Sequence, residues 1–124
     1  MILIETGRPG VPAFDAAALR RLSHDLDDLA FVSVFANRYL EMLPTRVLRI
    51  ARALQAADVE AALDATLSLK VSSTTVGTCE LADIALAIEG NVRRLDVRAA
   101  RHTAAELPPA AKRADHALLA YLSA

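Results

Sequence analysis

Apolar residues recur three or four positions apart from Ala13 almost to the end of the chain, which is the spacing of an amphipathic helix. The pattern predicts six helical segments, in chain order about 14–24, Asp27–Leu43, Thr45–Ala57, Asp58–Thr75, Thr78–Val97 and Ala99–Leu122. Pro44 is predicted to end the second helix, Gly77 to separate the fourth from the fifth, and Pro108-Pro109 to divide the last segment into two pieces.

Residues 1–12 have no helical pattern because Gly7, Pro9, Gly10 and Pro12 interrupt it. We interpret them as an extended N-terminal arm, whose short run Met1–Ile4 is either disordered, packed on the helices or an edge strand. Residues 13–124 then form one helical domain, and the start at Met1 favours a free-standing protein.

The second predicted helix is apolar around more than half of its circumference, which is typical of a helix at the centre of a bundle. Short links between long amphipathic helices favour antiparallel neighbours. The chain also contains 26 Ala and 19 Leu among 124 residues, so over a third of it consists of two strong helix formers. The sequence therefore predicts an all-α fold, an up-down antiparallel four-helix bundle with accessory N- and C-terminal helices.

Charge and targeting signals exclude several classes of function. Fourteen basic and fifteen acidic residues give a net charge of −1, which argues against a nucleic-acid or anionic-membrane partner. The single cysteine, Cys79, forms no internal disulfide, and the N-terminus lacks the pattern of a signal peptide. No apolar run is long enough to span a bilayer. We expect a cytoplasmic protein.

The fourth predicted helix has two apolar arcs when it is projected at 100° per residue. The first is a core face, formed by Val59, Ala62, Thr66, Leu69, Ser73 and Val76. The second is centred about 115° away and consists of Leu63, Leu67, Lys70, Val71 and Thr74. Leu67 and Val71 lie farthest from the core and are expected to meet solvent. An apolar stripe beside a bare lysine, Lys70, indicates a contact surface.

Residues 65–77 read Ala-Thr-Leu-Ser-Leu-Lys-Val-Ser-Ser-Thr-Thr-Val-Gly, which resembles the signature A-x-H-x-L-K-G-S-x-x-x-x-G of histidine-containing phosphotransfer (HPt) domains. The resemblance covers about 14–98. It includes the second helix with its proline turn, the Asp58-Val59 pair before the signature helix, and the spacing from Gly77 to Glu89. It implies an HPt-like fold and a role in two-component phosphorelay signalling.

The same resemblance argues against HPt chemistry. HPt domains carry the phosphoryl group on an exposed histidine, and that position is Leu67 here. An aliphatic side chain has no nucleophilic nitrogen for a phosphoramidate. The glycine after the lysine is Val71, whereas Lys70 is retained. We therefore expect a pseudo-phosphotransferase that is not an enzyme.

Other phosphoryl acceptors are weakly supported. The histidines His24, His102 and His116 do not lie on the fourth predicted helix. Ser68 and Thr66 flank position 67, but neither has an adjacent base, and the Thr66 hydroxyl is expected to bond a backbone carbonyl.

The sequence gives equally weak support for metal binding, cofactor binding or thiol chemistry. His102 and Glu106 share a face at i and i+4, but two ligands do not make a site, and we predict neither metal nor cofactor. The helix dipole favours a lowered pKa at Cys79, although an inert packing cysteine is the more ordinary interpretation. The basic run near the end of the fifth helix is interpreted as a solvated face, and consists of Arg93, Arg94, Arg98 and Arg101.

The leading hypothesis is a degenerate HPt domain that binds a response-regulator receiver domain or a histidine kinase domain. Leu67 and Val71 would form the centre of that interface, surrounded by Leu63, Lys70 and Thr74. In the alternative, the same stripe closes a homodimer or scaffold contact, or docks the arm 1–12, with no phosphorelay role. A third hypothesis is an active HPt domain that uses another histidine.

Overall fold

A computed structural model describes residues 8–124 of the chain. The described part contains six α-helices, α1 Ala16–Leu26, α2 Leu29–Gln55, α3 Val59–Val76, α4 Cys79–Arg93, α5 Val97–Ala104 and α6 Leu107–Leu122. Residues 8–124 contain no strand, which confirms the all-α prediction. No helix in this part of the chain is long and apolar enough to cross a membrane.

The predicted break at Pro44 is wrong, because α2 is a single helix of 27 residues, Leu29–Gln55, that contains Pro44. A proline inside a helix removes one backbone hydrogen bond and costs about 3 kcal/mol. Leu43 and Ile50, on either side of the proline, are 2% and 0% exposed. Burying each of these side chains contributes about 1.5–3 kcal/mol, so packing of both halves against one core outweighs the proline.

The C-terminal boundaries also differ from the prediction. The sequence pattern predicts that the helix from Thr78 continues to Val97. In the structure α4 ends at Arg93, and a turn with Leu95 at φ 59° leads into α5, which begins at Val97. The predicted division of the last segment near Pro108 and Pro109 is confirmed, because α5 and α6 are separate helices and both prolines lie in the first turn of α6. Proline is tolerated there because the first N–H groups of a helix have no partner within the helix.

Helices α2, α3 and α4 pack side by side, and the α5–α6 pair closes the bundle against α2 and α4. Helix α1 lies across α2 and α3. This is the predicted four-helix core with accessory helices. Helix α2 packs against α1, α3, α5 and α6, as its apolar circumference predicted. Five of its large apolar side chains are nevertheless 43–77% exposed, Leu29, Phe31, Val34, Met42 and Leu48.

The chain before α1 is fixed to the turn between α3 and α4. The Asp15 N–H donates to the Gly77 carbonyl at 2.8 Å, and the Glu80 N–H donates to the Pro12 carbonyl at 3.0 Å. Gly77 has φ +99°, and a Cβ there would lie 2.4 Å from the Asp15 carbonyl oxygen. Only glycine fits this close approach without displacing the backbone.

Arg8 anchors the start of the described chain. Its guanidinium pairs with Asp83 of α4 at 3.2 Å and with Glu106 at 3.3 Å. Residues 8–12 of the predicted arm are therefore held on the helices at this point. The part of the arm prediction that concerns residues 1–7, including the Met1–Ile4 run, lies outside the described residues.

A buried ion pair joins α4 to α6. Glu80 is 2% exposed, and both of its carboxylate oxygens accept from Arg113, at 3.0 and 2.7 Å. A bidentate pair satisfies the buried carboxylate, which would otherwise be strongly unfavourable in the core. This contact fixes α6 against the N-terminal end of α4.

Candidate functional site

The outer face of α3 carries the predicted contact residues, and hereafter this name means Leu63, Leu67, Lys70, Val71 and Thr74. Val71 is 62% exposed, and Thr74 is also exposed. Leu63, Leu67 and Lys70 are half-buried. The prediction that Leu67 and Val71 both meet solvent is thus confirmed in full for Val71 and in part for Leu67. The five side chains follow one side of the helix for about three turns.

The opposite face of α3 is the predicted core face. Five of its six predicted members are 0–1% exposed, Ala62, Thr66, Leu69, Ser73 and Val76. The sixth, Val59, opens the helix and is only half-buried. The Thr66 hydroxyl donates to the Ala62 carbonyl at 2.6 Å, as expected for a buried threonine one turn along a helix.

Lys70 is not bare, contrary to the sequence-based expectation. Its Nζ lies 2.5 Å from Glu89 Oε1 of α4, and Arg93 Nε donates to the other Glu89 oxygen at 2.9 Å. The hydrogen bonds from Lys70 and Arg93 hold the pKa of Glu89 below its usual range. Glu89 therefore stays ionised and pairs with both cations on the α4 side of the outer face.

The α2 side of the outer face carries a different cation. Arg46 of α2 donates from one guanidinium nitrogen to Ser72 Oγ, and its other nitrogen lies 3.9 Å from Met42 Sδ. Ser72 Oγ in turn donates to the Ser68 carbonyl at 2.8 Å. Farther along, Arg49 pairs with Asp64 at 3.4 Å, with both side chains mainly exposed.

A hydroxyl cluster lies beneath α3, where α2, α3 and the start of α4 meet. The Tyr39 hydroxyl is 2.8 Å from Ser73 Oγ and 2.7 Å from Thr78 Oγ1, and all three side chains are buried. Burial raises the pKa of Tyr39, so the phenol stays neutral. The cluster satisfies its own polar atoms and has no solvent-facing member, which assigns it to packing rather than chemistry.

The three histidines lie on other helices and are exposed: His24 on α1, His102 on α5 and His116 on α6. The shared face proposed for His102 and Glu106 is wrong, because α5 ends at Ala104 and Glu106 lies in the turn before α6, where it pairs with Arg8. Residues 8–124 contain no group of three side chains suited to hold a metal ion.

Cys79 opens α4 and is partly buried. Its Sγ lies 3.3 Å from the Gly77 carbonyl oxygen. Burial raises the pKa of the thiol, and the nearby Asp15 carboxylate raises it further, so the lowered pKa expected from the helix dipole is wrong. A thiol with a raised pKa is a weak nucleophile at neutral pH, as a packing cysteine should be.

Three of the four arginines in the basic run at the end of α4 and in α5 form contacts within the protein. Arg93 pairs with Glu89, and Arg94 donates to the Asn91 side chain at 2.9 Å. Arg101 donates to the Leu54 carbonyl at 3.0 Å, which ties α5 to the end of α2. All four arginines of the run are exposed, including Arg98, which confirms the predicted solvated face.

Sequence reasoning missed Glu89 and Arg46 as neighbours of the candidate site. Glu89 is 19 residues from Lys70, and Arg46 is 26 residues from Ser72. Both contacts depend on how α2 and α4 align against α3, which helix periodicity alone does not specify. The only available signal was the position of Glu89 within the HPt-like spacing after Gly77.

Structural comparison identifies the fold. Histidine-containing phosphotransfer protein B (HptB) from Pseudomonas aeruginosa PAO1 superimposes with a TM-score of 0.80 and 20% sequence identity, covering 90% of this chain and 96% of that one. The HPt domain of a sensor hybrid histidine kinase from Shewanella has a TM-score of 0.71 and 21% identity, covering 86% and 90%. No family model matches the sequence, and comparison with curated proteins finds no significant match. The chain has the fold of HPt domains.

Proposed function

We propose that this protein is a docking module of phosphorelay signalling that binds a response-regulator receiver domain, or a histidine kinase domain, through the outer face of α3 without accepting a phosphoryl group. The fold and the HPt-like signature of residues 65–77 support the phosphorelay context. The composition of the outer face supports binding without transfer.

The observation that carries the proposal is the side chain at position 67. The HPt signature aligns its histidine with Leu67, on the helix face that α3 turns away from the core. Phosphotransfer through histidine requires a ring nitrogen that attacks phosphorus, and leucine offers no such atom. Lys70, which resembles the conserved lysine of the signature, has its charge engaged by Glu89.

The retained apolar stripe supports partner binding. Val71 is 62% exposed and stands one turn from the half-buried Leu67. Full burial of a valine or leucine side chain contributes about 1.5–3 kcal/mol, so this pair is suited to be the centre of a modest interface. The neighbouring Thr74 hydroxyl already donates to the Lys70 carbonyl at 2.8 Å and needs no partner of its own.

A phosphoryl-transfer assay tests the absence of chemistry. The wild-type protein and the double variant Leu67→His, Val71→Gly are incubated with a panel of labelled phospho-receiver domains, and acid-labile label on each is measured. We expect label only on the double variant, because it restores the acceptor nitrogen and the space beside it. Label on the wild type would show that another histidine is the acceptor and would overturn the proposal.

A binding assay tests the interface independently of chemistry. Val71→Asp places a charge at the centre of the face, and Leu119→Asp makes a comparable change at an exposed leucine of α6. With a receiver or kinase domain that binds the wild type, we expect Val71→Asp to raise Kd about tenfold or more and Leu119→Asp to leave it unchanged. Equal effects of the two variants would contradict the assignment of the face.

The same variants also test the homodimer alternative. Sedimentation of the wild type across a range of concentrations should show a monomer if the face serves a different protein. A concentration-dependent dimer that Val71→Asp dissociates, with no binding to any receiver or kinase domain, would replace the proposed function by self-association.

A further inference from the structure

Two cations flank the exposed valine of the outer face, one on each side of α3. Lys70 precedes Val71 in the chain and faces α4, whereas Ser72 follows it, faces α2 and is contacted by Arg46. Successive residues of a helix are 100° apart, so Lys70 and Ser72 point to opposite flanks of Val71. A partner centred on Val71 therefore comes within reach of both side chains.

The two cations differ in what they already bind. Lys70 lies 2.5 Å from Glu89, and this carboxylate is shared with Arg93. Arg46 contacts only the neutral groups of Ser72 and Met42 within residues 8–124. The Lys70 ammonium therefore already donates to a carboxylate, whereas the described contacts of Arg46 include none, so Arg46 is the cation beside Val71 whose donors are open to an acidic group of a partner.

Arg46 is also well prepared to bind a carboxylate. A guanidinium has five N–H donors in a planar fork, and the contacts to Ser72 and Met42 leave others available. Its side chain is half-buried, so part of the cost of ordering it is met before a partner arrives. The Ser72 hydroxyl that holds it is itself fixed by its bond to the Ser68 carbonyl.

We infer that Arg46, rather than Lys70, is the cation with which this face recognises acidic groups of its partner. The inference rests on the proposed function and takes the receiver domain as the partner. It makes Arg46 a specificity-determining residue on α2, outside the signature helix. Charge recognition by this face then depends on Arg46 and not on Lys70, the lysine that this chain shares with the HPt signature.

The test uses a receiver domain that binds the wild-type protein and compares Arg46→Gln with Lys70→Gln across a series of salt concentrations. At low salt we expect Arg46→Gln to raise Kd about tenfold and to flatten the salt dependence, since surface charge pairs are screened by salt. Lys70→Gln should stay within about twofold of the wild type, because the Lys70 ammonium already donates to Glu89. A larger loss in Lys70→Gln would overturn the inference.

Two further variants separate charge recognition from a packing role of Arg46. Arg46→Lys keeps the charge and should keep the salt dependence. Ser72→Ala removes a neutral group that helps to hold Arg46, and should raise Kd by clearly less than Arg46→Gln does. A loss in Ser72→Ala equal to that in Arg46→Gln would assign Arg46 to α2–α3 packing and overturn the inference. If no receiver domain binds the wild type, the proposed function fails as a whole, which is a different result.

Discussion

Each face of α3 carries side chains that depart from the usual distribution of polar and apolar residues, although Ala62, Leu69 and Val76 on the buried, inner face follow it. The buried face contains the hydroxyls of Thr66 and Ser73, each 0% exposed. The outer face contains Val71, which is 62% exposed, and the half-buried Leu67. A helix selected for folding alone would place the hydroxyls outside and the aliphatic groups inside.

The two faces of α3 have different roles. The buried hydroxyls are satisfied internally, Thr66 by the Ala62 carbonyl and Ser73 by Tyr39, so they do not weaken the core. The side chain of Val71, by contrast, remains 62% exposed. The inner face is therefore built for packing, and the outer face is available for a partner.

Paired truncations on the two faces give the largest expected contrast. Leu69→Ala removes a fully buried side chain from the inner face and should lower the free energy of unfolding by about 3 kcal/mol. Val71→Ala, two residues away, should change it by less than about 0.5 kcal/mol. Urea denaturation followed by circular dichroism measures both. Similar losses in the two variants would show that the outer face is packed as tightly as the inner one.

Helix periodicity was sufficient to identify the two faces of α3, because burial of one side of a helix leaves a repeat that is visible in the sequence. It was not sufficient for contacts between helices. The Lys70–Glu89 pair and the Tyr39–Ser73 bond join residues 19 and 34 positions apart, and each depends on the alignment of two helices. At Pro44 a local rule failed, since tertiary burial outweighed a helix-breaking residue.

A smaller effect on the free energy of unfolding is expected when the hydroxyl cluster beneath α3 is disrupted, because the cluster satisfies the buried hydroxyl of Ser73. Tyr39→Phe removes the phenol oxygen shared by Ser73 and Thr78, and leaves the Ser73 hydroxyl buried without its described side-chain partner. An unsatisfied buried hydroxyl costs about 1–3 kcal/mol, and we expect a loss of about 1–2 kcal/mol in urea denaturation. As a control, Tyr121→Phe alters an exposed tyrosine of α6 and should have no effect. An unchanged Tyr39→Phe would mean that the buried hydroxyls contribute nothing to the stability of this face.

The smallest effect concerns the ion pair at the edge of the outer face, and it depends on pH. Hydrogen bonds from Lys70 and Arg93 lower the pKa of Glu89 in the folded protein, whereas in the unfolded chain it is near the ordinary value of about 4.3. The folded state therefore binds a proton at Glu89 less readily than the unfolded state. This contribution to stability is fully present above the unfolded pKa and is lost as pH falls through the folded pKa.

Glu89→Gln removes that titration while keeping the size of the side chain. At pH 7 we expect the variant to be less stable than the wild type by about 1 kcal/mol or less, as for other partly exposed ion pairs. The difference should disappear in acid, below the lowered pKa of Glu89, because the wild-type carboxylate is then protonated as well. Urea midpoints of both proteins at neutral and acidic pH measure the change. A difference that persists in acid would show that Glu89 acts through packing, and that Lys70 is not held by charge at the edge of the outer face.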